Sequence, residues 1–558
     1  MNISLRKDLF ILLGLAVFCS VLYGFRLGAF GLLDPDEPFY ALTARNMLER
    51  GDPMTPVLFG EPQFEKPILF YWVLYGAFKI FGVNETAARL GPMLAGILTV
   101  LLTYLWGRLL FKKKEIAVIS ALVLATTAQF VVLSRIVLTD IFLCLFVTAA
   151  FYSFSLGYAH EKIRKVSWTA LFIFCGFGFL TKGPLGILLP FFGIVSYLFA
   201  RGEGRLLRAF PWGWGLAAFT AVAAPWYALM AARHGADFVA HFFWHENFRR
   251  FFVAEHRGFD RIHFYPLGIL LGFIPWSLFL FPALGRAFKD SFRKKGNAFL
   301  LLGLSFMLTF IFFSSAKSKL LSYIFPVYPI LALFLGSWFV RYRDALRAGA
   351  ARSPWVAALF VVSFGVFPAA LVTGTLIYDA KQGLGVFGPV AAIGLTWIPV
   401  SFLAVYFFWK NKLEAAFFCG TAGTSIFALI AFGWMLPAAN GVYTSIEIPA
   451  LYRKEAAQKG NELILASKIY VRGTSYYLDH RNVGLFTENP SRAFYTRHPI
   501  PVVSTLEDLD RVTRDGRPLY CFFKEKELDW LRRAVDRRFA ITILDKRPDR
   551  VFLRLDRI

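Results

Sequence analysis

The chain has 558 residues and a formal net charge of +24. Hydrophobic residues make up 57% of it and charged residues only 18%, whereas an ordinary globular chain has about 25% charged residues. This composition predicts an integral membrane protein, and it excludes a soluble secreted enzyme, a disordered chain and a soluble DNA-binding protein. The Lys and Arg residues cluster in short stretches between apolar runs, which indicates membrane topology and anionic lipid headgroups instead of nucleic acid.

Fourteen apolar runs come close to the roughly 20 residues that a helix needs to cross the hydrocarbon core. In chain order they are 8–25, 67–82, 87–111, 115–133, 140–158, 167–181, 184–200, 210–231, 264–286, 297–314, 320–340, 355–377, 386–408 and 415–436.

The basic loops between these runs predict the topology, because Lys and Arg accumulate in short cytoplasmic loops. Six loops are plainly basic: 112–114, 162–165, 201–208, 289–295, 341–352 and 410–412. They fall on one side together with the basic N-terminus only if the short run 67–82, which contains Lys79, does not cross. We therefore predict that this run lies at the outer interface, that about thirteen helices span the bilayer, and that the N-terminus is cytoplasmic.

This topology places a defined set of segments on the outer face. They are 34–66, 134–140, 181–184, 232–263, 315–319 and everything after 437.

The composition changes near residue 445, where charges become dense and β-like runs alternate with a helix-like stretch at 525–535. The predicted strands are 463–466, 501–504, 519–523, 540–544 and 551–555. We expect a small α/β domain over 445–558, outside the membrane, after an all-α polytopic membrane domain over 1–444.

Carboxylates are concentrated at the ends of two outer loops. Asp34, Asp36 and Glu37 fall within four positions, and Asp140 closes the second outer loop. Ionisable groups beside lipid often mark sites, although each group here is equally consistent with a solvated helix cap. Together with nearby cations they suit a transfer reaction, in which a carboxylate accepts a proton or orients the attacking group.

The cations lie on the other outer loops. Lys182 follows one span, and Lys317 and Lys319 precede another, against the positive-inside pattern. Snorkelling at the interface is the alternative for each lysine. Their clustering with aromatic residues favours a lipid phosphate site.

His241 and His245 are spaced i, i+4, on one helical face, and this spacing can bind a metal ion. No third ligand follows at a fixed spacing, and the surrounding aromatic residues favour an interfacial belt. The sequence requires no cofactor and leaves a divalent metal open.

Several motifs together resemble a known family. They are Asp36-Glu37-Pro38-Phe39-Tyr40-Ala41, Glu65-Lys66-Pro67 with Tyr71-Trp72, Arg135 to Asp140, Thr181-Lys182-Gly183-Pro184, the aromatic stretch around Phe251, Lys317 to Tyr323 with Pro326, and Tyr476 to Arg481. They resemble the bacterial lipid-linked-sugar glycosyltransferases of the GT-C class, and within it the lipid A aminoarabinose transferases more than the protein O-mannosyltransferases. The resemblance covers most of the membrane part and extends into the tail.

The resemblance implies a GT-C fold and roles for individual residues. Asp36 would be the main catalytic carboxylate, with Asp140 and Glu37 as the other acidic residues of the site. The donor phosphate would be bound by the remaining predicted site residues: Glu65, Lys66, Lys182, Arg250, Lys317, Lys319 and Tyr323. One departure concerns Phe39, where the aminoarabinose transferases usually have arginine, and it leaves the acceptor or the sugar in question.

The predicted function is an inverting glycosyltransferase of the bacterial inner membrane. It would move a sugar from a polyprenyl (undecaprenyl) phosphate to a lipid A phosphate or another envelope acceptor at the periplasmic face, with membrane lipids as partners and no nucleic acid. A protein O-mannosyltransferase-like enzyme is the alternative within the class. A lipid-linked-sugar flippase would predict ionisable residues near the bilayer midplane and an internal repeat, neither of which the sequence shows. A structural assembly protein would leave the acidic loops without a role.

Overall fold

The computed structural model of the protein describes residues 3–249, 252, 261, 263–293, 298–455, 462–478, 482–487, 500–535 and 538–558. In these residues, helices make up nearly all regular structure up to 455, and strands alternate with helices after 462. The helices are α1 (Ile3–Gly24), α2 (Asp36–Arg50), α3 (Leu69–Phe81), α4 (Glu85–Phe111), α5 (Lys114–Thr126), α6 (Ala128–Leu133), α7 (Asp140–Ala159), α8 (Arg164–Lys182), α9 (Leu185–Ala200), α10 (Trp212–Val239), α11 (Phe264–Gly272), α12 (Leu280–Arg293), α13 (Ala298–Ser315), α14 (Tyr328–Arg347), α15 (Pro354–Val361), α16 (Phe367–Gln382), α17 (Phe387–Trp409), α18 (Leu413–Ile430), α19 (Leu436–Ala438), α20 (Asn440–Tyr443), α21 (Ile448–Glu455), α22 (Val471–Tyr477), α23 (Leu506–Val512) and α24 (Glu525–Ala534).

Short 3₁₀ and π segments connect or extend these helices. The 3₁₀ segments are Glu161–Ile163, Gly204–Ala209, Ser277–Phe279 and Phe325–Val327, and the π segments are Ala240–Arg249, Val362–Val366 and Ala431–Met435.

Within the described residues, ten helical segments are long and apolar enough to cross a membrane. They are Arg6–Gly24, Glu85–Phe111, Asp140–Ala159, Glu161–Lys182, Trp212–Glu246, Ala298–Ser315, Phe325–Arg347, Pro354–Lys381, Phe387–Trp409 and Leu413–Ala438. Each corresponds to one of the thirteen predicted spans. The protein is therefore a multi-span membrane protein.

The other three predicted spans are short or broken. The run 184–200 forms the 16-residue α9, about 24 Å long at 1.5 Å per residue. The runs 115–133 and 264–286 are interrupted at Thr127 and around Pro275. These two interruptions contact each other, since Ala128 N donates to Ile274 O at 2.9 Å and Trp276 Nε1 donates to Thr126 Oγ1 at 3.0 Å. Irregular backbone is tolerated at membrane depth when protein satisfies it in this way.

The run predicted to lie at the outer interface forms α3, which has 13 residues. A helix of this length covers about 20 Å, less than the roughly 30 Å of the hydrocarbon core. Its side relative to the membrane stays a prediction.

Glycines allow the α8–α9 hairpin to pack tightly. A Cβ added to Gly186 would lie 2.2 Å from the carbonyl carbon of Gly178, so the two helices approach at the level of their backbones. Gly183 at the turn has a φ of +64°, a region that favours glycine. This tight turn holds Lys182 at the tip of the hairpin.

The C-terminal region contains a mixed six-stranded sheet. A separate two-stranded ribbon, β1 (Val57–Leu58) with β2 (Glu61–Pro62), belongs to the first loop. The six strands are β3 (Ile464–Ser467), β4 (Val483–Phe486), β5 (Val502–Val503), β6 (Leu519–Lys524), β7 (Phe539–Arg547) and β8 (Arg550–Arg557), in the order β5-β4-β3-β6-β8-β7. The strands β5, β4, β3 and β6 are parallel, and β8 is antiparallel to both β6 and β7.

The sheet confirms all five predicted strands, and α24 confirms the predicted helix. Strand β4 was missed because four residues, Val483–Phe486, carry too short a pattern to identify. Helix α21 packs Ile448 and Tyr452 into the same apolar cluster as strand residues. The boundary between 444 and 445 stays a prediction.

Polar contacts dock this C-terminal region on the loop that precedes α2. The Tyr477 hydroxyl accepts from Leu32 N and donates to Glu85 Oε1, both at 2.8 Å. Arg45 on α2 donates to Tyr476 O at 2.8 Å, and Ser445 Oγ donates to Asp34 Oδ2 at 2.6 Å. As a result, α22 lies against α2, the helix that begins at Asp36.

Candidate active site

A cavity of about 1040 Å³ collects side chains from all the outer segments predicted before 437. The polar and aromatic residues of interest in its lining are Asp36, Phe39, Tyr40, Glu65, Lys66, Gln129, Asp140, Lys182, His241, His245, Glu246, Lys319, Tyr323, Lys468 and Arg472. Segments that lie hundreds of residues apart in the chain thus contribute to one site.

Asp36 is the first residue of α2 and extends its carboxylate into the cavity. The side chain is accessible to cavity solvent, yet the surrounding walls remove enough of its hydration that burial raises the pKa of this carboxyl. Arg472 opposes that rise and Asp140 adds to it. The residue before α2 is Pro35, and it makes no side-chain capping bond, so Asp36 is not the helix cap that the alternative reading required.

Asp34 contacts the C-terminal region and does not line the large cavity. Its Oδ2 accepts the Ser445 hydrogen bond, and a Cβ on Gly473 would lie 2.2 Å from its Oδ1. Burial raises the pKa of Asp34 well above its ordinary value.

Glu37 lies outside the cavity lining. Both carboxylate oxygens bond Arg89, at 3.0 and 2.7 Å, and they also accept from the backbone of Leu33 and Val137. The exposed fractions of Glu37 and Arg89 are 1% and 0%. The structure thus places Glu37 in a buried ion pair that holds the first loop together, and a catalytic role for it stays a prediction without geometric support.

Asp140 and Lys182 form an ion pair at the cavity wall, with their charged atoms 2.5 Å apart. The Lys182 ammonium also lies 4.3 Å from the centre of the Tyr323 ring, a cation–π contact. Their side chains are 7% and 10% exposed, so Lys182 is not a snorkelling lysine. Three predicted residues from separate loops thus form one cluster.

Lys66 and Glu246 form the neighbouring part of the wall, with Lys66 Nζ 3.7 Å from the Glu246 carboxylate. Glu65 precedes Lys66 and lines the same cavity. His241, His245 and Glu246 bring their potential ligand atoms within 4.8 Å of one another, so Glu246 is the third candidate ligand that the spacing did not reveal. Lys66 competes with any metal ion for that carboxylate, and metal binding stays open.

The remaining predicted cations differ in position. Lys319 is 3% exposed, lines the cavity and donates to Arg261 O at 3.4 Å. Lys317 is exposed and, in the described part of the chain, lies outside the cavity lining. Arg250 and Phe251 lie outside the described residues.

Sequence reasoning missed two cations of the C-terminal region, Lys468 and Arg472. Arg472 is 6% exposed, and its guanidinium lies 4.6 Å from the centre of the Phe39 ring. Phe39 is the position at which the motif departs from the aminoarabinose transferases. The only available signal was a pair of basic residues beside the Tyr476 motif, in a region predicted merely to lie outside.

A second cavity, of about 420 Å³, adjoins the first. Its own lining is mostly apolar and includes Leu185, Leu188, Phe242, Phe243, Phe252, Phe312 and Phe313. The two cavities share five residues, Glu65, Lys66, Lys182, Glu246 and Tyr323, which we call the shared polar wall. An apolar groove therefore ends at a charged wall that opens into the large cavity.

Comparison with known proteins places the chain in a family. A model of the dolichyl-phosphate-mannose-protein mannosyltransferase family matches residues 9–245. The undecaprenyl phosphate-alpha-4-amino-4-deoxy-L-arabinose arabinosyl transferase of Pectobacterium carotovorum is 30% identical over 431 residues, which cover 76% of this chain and 75% of that protein. The chain belongs to this family of GT-C glycosyltransferases. The part of this chain that aligns with an uncharacterized Aquifex aeolicus protein is 34% identical to it and spans 60% of that protein's length. The part that aligns with a Proteus mirabilis arabinosyl transferase is 31% identical and spans 63% of that protein's length.

The fold agrees with this assignment. The crystal structure of ArnT from Cupriavidus metallidurans bound to undecaprenyl phosphate matches 98% of both chains, with a TM-score of 0.77 and 21% sequence identity. The predicted GT-C fold is confirmed.

Proposed function

We propose that this protein is an inverting glycosyltransferase that takes a sugar from undecaprenyl phosphate and transfers it to a lipid A phosphate or another envelope acceptor. Aminoarabinose is the sugar named for the family members that it resembles. The reaction takes place at the periplasmic face of the bacterial inner membrane, where the topology predicted from the basic loops puts the large cavity.

The shared polar wall is the observation that carries this proposal. A polyprenyl phosphate has a long apolar tail and an anionic head, and the apolar groove leads to a wall with Lys66, Lys182 and Tyr323. A lipid tail in the groove puts the phosphate beside these cations and the attached sugar in the large cavity. Apolar burial supplies affinity, and the cations fix the head at one position.

The reaction breaks the bond between the sugar C1 and the phosphate oxygen, and it forms a bond from the acceptor oxygen to C1 on the opposite face. The bonding electrons stay with the departing undecaprenyl phosphate, whose charge becomes more negative by one. Lys66 and Lys182 lie where this charge develops, so they stabilise the transition state more than the donor. No nucleotide takes part in this step.

Asp36 extends into the same cavity near the shared polar wall. With a hydroxyl acceptor, it takes the proton that the attacking oxygen loses. With a phosphate acceptor, whose oxygen is already ionised, it orients the attacking group and the sugar. Asp140 holds Lys182 in place through their ion pair.

Transfer to a protein hydroxyl is the second candidate, and the family model matched by residues 9–245 favours it. The two candidates share the donor site and differ in the acceptor. The products therefore distinguish them.

The test is transfer by the purified protein in lipid nanodiscs, with undecaprenyl phosphate-aminoarabinose as donor and either lipid A or a Ser/Thr-rich peptide as acceptor. Mass spectrometry of each product should show sugar on lipid A. A water-soluble donor without the polyprenyl chain should be used at least about 100-fold less well, because about 25 cal/mol per Å² of buried apolar surface is lost. Failure to use any polyprenyl-linked sugar would contradict the proposal, and glycosylated peptide alone would favour the second candidate.

A further inference from the structure

Two cations of the C-terminal region line the large cavity together with the lysines of the membrane domain. Lys468 and Arg472 both line it, Lys468 half-buried and Arg472 buried. They follow Ser467, the last residue of β3, across a turn and into α22. The C-terminal domain thus supplies part of the cavity wall.

Their position in the sheet is one that binds ligands in many open parallel sheets. Strand β3 pairs in parallel with β4 on one side and with β6 on the other, so the chain order reverses at β3. Ligand-binding residues in such sheets follow the carboxyl ends of the strands at this reversal. The segment 468–472 occupies that place and faces the cavity.

These cations are distinct from those of the shared polar wall. Lys66 and Lys182 line both the apolar groove and the large cavity, whereas Lys468 and Arg472 line only the large cavity. Asp36 lines the same cavity as both pairs of cations. A transfer reaction needs sites for both a donor and an acceptor, and the large cavity has one pair of cations that the apolar groove shares and a second pair that it does not share.

We propose that Arg472 and Lys468 form the acceptor site, which binds an anionic group of the acceptor, a phosphate, while Lys66 and Lys182 bind the donor phosphate. This inference rests on the proposed function and adds which residues of this chain bind the anionic group of the acceptor. A guanidinium binds a phosphate through two parallel N–H···O bonds, and the Arg472 guanidinium is positioned by a cation–π contact with the Phe39 ring, 4.6 Å from its centre. Because Arg472 belongs to the C-terminal domain, the docking of that domain completes the acceptor site.

The test measures binding of each lipid separately. Dissociation constants for lipid A and for undecaprenyl phosphate are measured for the full-length protein in nanodiscs of zwitterionic lipid, at low and at moderate salt. The variants are Arg472→Gln, Arg472→Lys, Lys468→Gln and Lys66→Gln. Arg45→Gln is the matched control, because it removes a hydrogen bond to α22 without removing a cation from the cavity lining.

We expect Arg472→Gln to weaken lipid A binding on the order of 10- to 100-fold and undecaprenyl phosphate binding less than about twofold. Arg472→Lys should recover part of the loss, and Lys468→Gln should give a smaller loss of lipid A binding. Lys66→Gln should instead weaken undecaprenyl phosphate binding more than lipid A binding. Added salt should weaken lipid A binding to the wild type more than to the Arg472→Gln variant. Steady-state transfer should show the same division, with a raised KM for the acceptor and an unchanged KM for the donor.

Equal losses for both lipids, or unchanged lipid A binding in both Arg472→Gln and Lys468→Gln, would overturn the inference. If Arg472→Gln does not fold, Lys468→Gln decides, since its side chain is only half-buried. A wild type that binds lipid A through Arg472 but transfers no sugar would overturn the proposed function and leave the anion site standing. If the wild type transfers sugar and this transfer does not depend on Arg472 or Lys468, the acceptor-site inference is overturned and the proposed function stands.

Discussion

Replacing Asp36 by Asn tests the centre of the proposed chemistry, because it removes one charge and keeps the shape of the side chain. With the ionised phosphate of lipid A as acceptor, Asp36 orients the attacking group, and misplacing a reacting group costs about 10²-fold in rate. We therefore expect transfer to fall by about 100-fold, equivalent to about 3 kcal/mol of activation free energy. Folding should not suffer. Burial raises the pKa of this carboxyl, so the folded protein holds the proton more tightly than the unfolded chain, and stability due to this group is lost as pH rises through the folded-state pKa. Asn does not ionise, and the variant should melt at the wild-type temperature or slightly above it at neutral pH.

The assay is initial-rate transfer to lipid A in nanodiscs over a series of pH values, together with thermal melting of the same samples. For the wild type, the rate should rise as pH rises through the raised pKa of Asp36, since the carboxylate must be ionised to orient the attacking group, or to accept its proton where the acceptor is a hydroxyl. The Asn variant should lose that rise. Activity within about tenfold of wild type, with the rise intact, would refute the role of Asp36 and direct attention to Asp140.

Three further predictions concern the shared polar wall, the buried Glu37–Arg89 ion pair and the membrane topology. Lys66→Ala should lower kcat/KM for the donor by about one to two decades and Lys66→Arg by less, because one charge-assisted hydrogen bond is worth about 1.5–3 kcal/mol. Rates measured over a range of donor concentrations check this, and equal kcat/KM values for both variants and the wild type would reduce Lys66 to an interfacial residue. Glu37→Gln should destabilise the protein by about 3–5 kcal/mol, because it leaves the buried Arg89 without its counter-charge. Thermal melting of this variant, compared with that of the neighbouring Asp36→Asn variant, checks this. A stable but inactive Glu37→Gln protein would restore a catalytic role for Glu37. A reporter fused after Ile558 should be active only if it is of the periplasmic type, and an active cytoplasmic reporter would remove the predicted topology.

Much of the fold could be predicted from the sequence, because the bilayer restricts which structures can span it. A span must be long and apolar, and its backbone must be satisfied within the helix, so composition alone identified ten continuous helices such as α7 and α17. The same rule failed at Thr127 and Pro275, because two broken helices satisfy each other's backbone there. Only tertiary structure shows that partnership.

Some of the site residues could likewise be predicted from the sequence, and others could not. Asp36, Asp140 and Lys182 could be selected from the sequence, since charged groups beside a membrane are costly and their positions were unusual, and the family resemblance added Lys66 and Tyr323. Residue type could not separate Asp36 from Glu37, because adjacent helical residues point about 100° apart and only packing decides which carboxylate faces the cavity and which meets Arg89.

The contribution of the C-terminal domain was decided by tertiary structure alone. Arg472 is 436 positions after Asp36, and no local pattern links two such residues. They become neighbours because α22 docks on α2 through the bond from Arg45 to Tyr476 O, and because the Tyr477 hydroxyl accepts from Leu32 N in the loop before α2. Sequence therefore determined that this chain spans a membrane, and it predicted that the unusual charges gather at one face, because hydropathy and charge are properties of each segment. Which charges face one another across the cavity depends on contacts between segments, and only the folded chain specifies these.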